Sequence, residues 1–115
     1  MNIEVTNLFE LASQRLKWLS DRQKVVSENI ANADTAGYRA KEVESFDSYL
    51  EVAAGQAEAP GAAIFESEST WGADLSGNNV ILEEQILEAS STAGQYKIAA
   101  NLYRKAHEML RAVSG

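Results

Sequence analysis

Between residues 5 and 33 the apolar positions recur in alternating steps of 4 and 3: Val5, Phe9, Ala12, Leu16, Leu19, Val26, Ile30 and Ala33, with Gln23 as the polar member. A mean spacing of about 3.5 residues is the seam of a coiled coil and predicts a helix over residues 5–33. At about 1.5 Å per residue it would be roughly 40 Å long. Gln23 either fixes register or occupies a tolerated, exposed place in the seam. Thr6 or Asn2 is the candidate N-cap. Asn32, Asp34 and Gly37 are residue types that end a helix through left-handed backbone. Leu11, Trp18 and Val25 form a second row seven apart. That row fits contact with more than one neighbour, or a wide apolar face packed on a single partner.

The same steps return over residues 79–113, in Leu82, Ile86, Ala89, Ala93, Tyr96, Ala100, Tyr103, His107 and Leu110, and predict a second long helix. Its alanines at 89, 93 and 100 would let a partner helix come close. Leu102 and Met109 again form a row beside the seam. Asn78 or Asn79 is the expected N-cap. Glu83, Glu84 and Glu88 near the start, with Arg104, Lys105 and Arg111 near the end, suit the helix dipole. Gly94 lowers helix stability by about 1 kcal/mol relative to alanine.

Residues 38–78 have neither period. Residues 38–43 read as extended chain leaving the helix, and Phe46, Tyr49, Leu50 and Val52 as a short amphipathic turn or helix. Residues 53–63 hold the only proline, two glycines and little to bury, so a mobile linker is expected there. Ile64 and Phe65 suggest a brief strand and Trp71 an anchor for the loop. Gly72, Gly77, Asn78 and Asn79 are turn formers. The expected architecture is all-α: one domain, two long amphipathic heptad helices, and a flexible loop-rich middle.

A length of 115 residues fits one domain, and 45% apolar residues argue against wholesale disorder. The formal charge is −7 and the ten Lys and Arg are scattered, which argues against nucleic acid as a partner. Without cysteine there is no disulfide framework and no Cys-based zinc site. Glu4, Glu10, Arg15 and Lys17 interrupt the first 20 residues, so no cleavable secretory signal is expected. No run of about 18 apolar residues occurs, so no membrane insertion is expected. Work outside the cytoplasm would require an export route that needs no such signal.

Candidate chemistry is sparse. His107 is the only histidine, lies on a seam position, and has no second histidine at metal-ligand spacing, so it reads as a packed or half-exposed side chain. The close carboxylate pairs Glu42 and Glu44, Glu66 and Glu68, and Glu83 and Glu84 could do acid–base work only inside a desolvated pocket. They read as solvated faces. No nucleophile elbow is present, and the glycines at 55, 61, 72 and 77 are too far apart to cradle a phosphate. No enzyme, metal or cofactor is therefore expected. Two paired helices would cover part of each seam and leave apolar surface exposed, so the isolated chain should be marginal, with ends ordered by assembly.

The most specific stretch is Asn29, Ile30, Ala31, Asn32, Ala33, Asp34, Thr35, Ala36, Gly37 and Tyr38. It resembles the N-terminal signature of the bacterial flagellar axial proteins, the rod and hook family. Ser76, Gly77, Asn78, Asn79 and Val80, with Leu82, Glu83 and Glu84 following, make the chain look most like the short proximal rod type. So does the closing Tyr103, Arg104, Lys105 with Met109, Leu110 and Arg111. Two departures stand out. Ala36 replaces a usual proline, which should loosen the turn. Ile81 replaces a usual acidic residue, which should loosen the start of the second helix.

The resemblance implies a self-assembling structural subunit of the flagellar basal body, in the periplasm-spanning rod and needed for motility. It implies export through the flagellar type III apparatus without a cleaved signal. It also implies terminal helices that pair and form the inner wall of a hollow axial filament, with other rod proteins, the rod-base adaptor and the MS ring as partners. The expected subunit-packing seams are Phe9, Leu16, Leu19, Val26, Ile30, Leu82, Ile86, Tyr96, Ala100, Tyr103 and Leu110. The turn at Asn29, Ile30, Ala31, Asn32, Asp34, Thr35, Gly37 and Tyr38 would direct the chain out of the inner helix. The alternatives are another axial protein, or a soluble coiled-coil adaptor, which explains the heptads but not the turn.

Overall fold

The computed structural model describes residues 3–56, 58–67 and 77–114. In order come α1 (Ile3–Ala31), β1 (Lys41–Val43), α2 (Phe46–Ala53), β2 (Ile64–Glu66) and α3 (Leu82–Ser114). The molecule measures 61 × 24 × 16 Å. Cross-helix pairs show how the long helices run. Asn29 meets Gln85, Arg22 meets Glu88, Arg15 meets Gln95, and Phe9 meets Tyr103. One number falls as the other rises, so α1 and α3 are antiparallel. Both helices start and stop within a few residues of the periodic segments. Because α1 begins at Ile3, Thr6 lies inside the helix and is not its cap; Asn2 lies outside the described residues.

The seam expected on α1 is the buried one. Ala12, Leu19 and Val26 are buried, and Phe9, Leu16, Gln23, Ile30 and Ala33 are half-buried. The Val5 side chain lies outside the described residues. The Phe9 ring packs 4.7 Å from Tyr103, with His107 exposed beside both.

On α3 the contact face differs from the expected one by a rotation. Ala89, Tyr103 and Leu110 are half-buried as the spacing predicts, but the buried residues between them are Thr92, Ala99 and Ala106. Ala100 is half-buried, while Ala93 and His107 are exposed, as are Leu82, Ile86 and Tyr96. The reason is steric. α1 presents the large side chains Leu19 and Val26, and close packing favours small residues opposite them. The rotation leaves an open apolar stripe on α3, with Leu87 71%, Ile98 71%, Met109 41% and Val113 51% exposed, while Ile86 is exposed on another side of the helix.

The second row of α1 is covered largely from within the chain. Trp18 and Val25 are buried, and only Leu11 stays exposed. The Trp18 indole N–H donates to the Glu44 carbonyl at 2.8 Å, and its ring lies 5.5 Å from Phe46. Trp18, Leu19, Tyr49, Ala53 and Ala99 form the core, joining α1, α2 and α3. The Arg15 guanidinium lies 4.9 Å from the Trp18 ring centre and 4.6 Å from that of Phe46. Burial first, and the nearby Arg22 charge second, lower its pKa.

The middle is more ordered than expected, and the fold is mostly helical rather than all-α. β1 and β2 pair antiparallel, Lys41 opposite Glu66, Glu42 opposite Phe65 and Val43 opposite Ile64. Ser45 caps α2 by accepting from the Ser48 N–H at 3.2 Å. The described residues of 53–63, which leave out Ala57, are tied to the rest of the chain where a free linker is expected. The Asp21 carboxylate accepts the Ala62 N–H at 2.8 Å, the Glu44 carboxylate accepts that of Ala63 at 2.6 Å, and Tyr49 donates to the Pro60 carbonyl at 2.9 Å. Poor in apolar side chains, the segment is held by its backbone donors and acceptors. Trp71 and Gly72 lie outside the described residues.

Candidate functional site

The turn after α1 is built from its own polar side chains. Asn32 donates its side-chain N–H back to the Glu28 carbonyl at 2.9 Å, closing the last turn of helix. Thr35 donates its hydroxyl to the Asn32 side chain at 3.1 Å and its backbone N–H to the Asn32 carbonyl at 3.0 Å. Gly37 has φ 75°, a left-handed conformation that costs a residue with a Cβ about 1–2 kcal/mol. The Tyr38 N–H closes the turn on the Thr35 carbonyl at 3.2 Å. Ile30 and Ala33 are half-buried along the helix end, while Ala31, Asp34 and Thr35 are exposed.

Asn29 is the hub. It is 1% exposed and its amide is fully used. Its oxygen accepts the Lys41 N–H at 2.9 Å and the Tyr38 hydroxyl at 3.2 Å. Its NH2 donates to the Lys41 carbonyl at 2.9 Å and to the Gln85 side chain at 3.0 Å. One side chain thus ties α1 to β1, to the turn and to α3. A primary amide supplies two donors and two acceptor sites on one plane. Asp has no donor, and Leu has neither. Burial first, and the Glu28 charge second, raise the Tyr38 pKa, so its hydroxyl stays protonated and donating at physiological pH.

The second motif grips the first. Asn78 donates its NH2 to the Asn32 carbonyl at 2.9 Å and to the Thr35 carbonyl at 2.7 Å, and accepts from Val80 N–H at 2.8 Å. Asn79 accepts the Ala40 N–H at 2.6 Å and gives its own N–H to the Tyr38 carbonyl at 3.3 Å. Gly77, with φ 85°, takes the left-handed conformation that favours glycine, and lies near Gly37. Neither Asn78 nor Asn79 forms the helix cap expected of it. α3 begins at Leu82, and Gln85 N–H bonds back to the Ile81 carbonyl at 3.1 Å, which makes Ile81 the capping position. The motifs, far apart in sequence, form one asparagine lock. Gln85 and the Lys41 backbone are the members that sequence reasoning missed. A buried asparagine demands four partners, but nothing local names them.

Chemically the lock is amide, hydroxyl and backbone. It fixes geometry and offers no activated nucleophile. Among the described residues no group of three or more His, Asp and Glu side chains could hold a metal ion. Likewise no described helix is long and apolar enough to cross a membrane.

Comparison with known proteins gives this lock a context. Residues 9–39, which run along α1 and through the turn to one residue past Tyr38, match the flagella basal body rod protein family. The chain is 33% identical, over 125 aligned residues, to the flagellar basal body rod protein FlgB of Agrobacterium fabrum, covering 95% of this chain and 93% of that relative. The chain belongs to the flagellar basal body rod protein family. As a member it is a structural subunit of the rod, part of the machinery of motility. The rod-family match ends before the second motif, whereas the likeness to the Agrobacterium rod protein extends over nearly the whole chain. The match along α1 covers Phe9, Leu16, Leu19, Val26 and Ile30. Leu19 and Val26 are buried within this one chain, so they serve the subunit's own fold. Leu82, Ile86 and Tyr96 remain open on the surface of α3.

Proposed function

We propose that this rod subunit takes its place in the proximal rod, at the base of the flagellar axis, and that it catalyses no reaction. It leaves the cell through the flagellar type III apparatus without a cleaved signal. Its neighbours are the other rod proteins, the rod-base adaptor and the MS ring, with no nucleic acid, cofactor or inserted membrane segment. The open apolar face of α3 carries this reading. Large side chains stand exposed along a helix beside its packed face, and burying them against neighbouring helices removes that surface from water at about 25 cal/mol per Å². The lock holds the two helices in one geometry, so each added subunit meets the same surface.

Deletion of the gene tests it. The expected strain does not swim, and its envelope preparations lack assembled rods; the wild-type gene in trans restores both. Complete basal bodies in the deletion strain would refute the reading.

A further inference from the structure

Beside the buried seam, α1 and α3 part to leave a cleft of about 450 Å³. Two polar atoms at the helix interface lining it have no hydrogen-bond partner: the Gln23 Oε1 and the hydroxyl of Thr92, a residue with no exposed surface. Lys24 from α1 and Lys97 from α3 also line the cleft, along with the exposed ring of Tyr96. Two lysines lining one cleft in a chain of charge −7 mark a place where a negative group is favoured. The occupant that fits therefore carries carboxylates beside apolar side chains.

The first two turns of α3 have that composition. Leu82, Glu83, Glu84, Ile86 and Leu87 are all exposed. Leu82 and Ile86 stand one turn apart on one face, with Glu83 beside them. We infer that the cleft lined by Lys24, Thr92, Tyr96 and Lys97 receives the start of α3 from a second copy of this chain. The apolar ridge covers the Tyr96 ring. The Glu83 carboxylate comes to the mouth of the cleft, between the Lys24 and Lys97 ammonium groups. Ridge and cleft are different patches, so every copy offers one of each. This deepens the rod reading by naming the copy-to-copy contact, and rests on it only for its place in the cell.

The absence of cysteine allows a clean test on purified full-length chains. A Glu83→Cys chain is mixed with a size-tagged Lys97→Cys chain under mild oxidation. The expected product is the mixed disulfide, exceeding either like-with-like product by about tenfold, the ratio that a contact of about 1.4 kcal/mol produces. Mixed product no greater than with a Glu108→Cys control would overturn the inference. In cells, Lys97→Glu and Glu83→Lys are each expected to abolish swimming, and the double exchange to restore it. Full motility of both single variants, in a background where the deletion strain does not swim, would sink this contact while leaving the rod assignment standing.

Discussion

Two faces of α3 meet opposite conditions. One carries Gln85 into the asparagine lock, where Asn29, Asn78 and Asn79 meet donor with acceptor. On the other, Leu87, Ile98, Met109 and Val113 are largely exposed. The lock spends its polar groups inside one subunit. The open face keeps its apolar groups for something outside. A chain that must be both a defined body and a building block needs both. Complete satisfaction at one place makes its shape reproducible, and incomplete burial at another makes association favourable.

That contrast can be broken most severely through the core beneath it. Leu19 has no exposed surface, so Leu19→Asp buries a charge with no partner. The isolated variant is expected to lose cooperative thermal unfolding altogether, measured by circular dichroism.

The next largest effect belongs to the lock. Asn29→Leu preserves approximate volume but strands the Lys41 N–H and carbonyl and the Gln85 amide. At about 1–3 kcal/mol per orphaned group, a loss of about 3 kcal/mol or more is expected in urea unfolding. A loss below about 1 kcal/mol would show that the network is ornamental.

A smaller effect appears in alkali. Burial raises the pKa of Tyr38, and burial followed by Asp21 and Glu44 raises that of Tyr49. Both groups sit above their unfolded values in the folded chain. Their contribution is therefore complete below about pH 10, and is lost as pH climbs through the raised folded values. Stability should fall across that alkaline range, and the fall should shrink in Tyr38→Phe with Tyr49→Phe.

The smallest effect on the monomer sharpens the contrast. Ile98→Asp on the open face should leave monomer stability within about 0.5 kcal/mol, as surface changes do. Swimming should nevertheless be lost. A variant that swims normally would remove the open face from assembly.

How far the sequence alone reaches differs by region for physical reasons. The α1 seam was legible because Leu16, Leu19, Val26 and Ile30 are large and only one face holds them. The α3 seam was not. Ala93 and Ala100 on one side, and Thr92, Ala99 and Ala106 on the other, carry almost equal apolar weight, and the choice falls to what α1 can approach. Residues 53–63 looked like linker because they bury little. Their anchors are the Asp21 and Glu44 carboxylates, which no local composition reveals. The short helix at Phe46 and Tyr49 and the strand at Ile64 and Phe65 were legible, but the pairing that makes a sheet of the latter was not. Within the lock, the turn residues were evident by type. The grip of Asn78 and Asn79 was hidden, because asparagine before a helix ordinarily caps it.

The grip of Asn78 on the turn after α1 has a mechanical consequence. It clasps the antiparallel helices at one tip, while Phe9, Tyr103 and His107 meet toward the other. Force travelling from the clasp toward the far tip runs along both helices together, in shear across every rung. Only a pull that prises the far tips apart can peel them rung by rung.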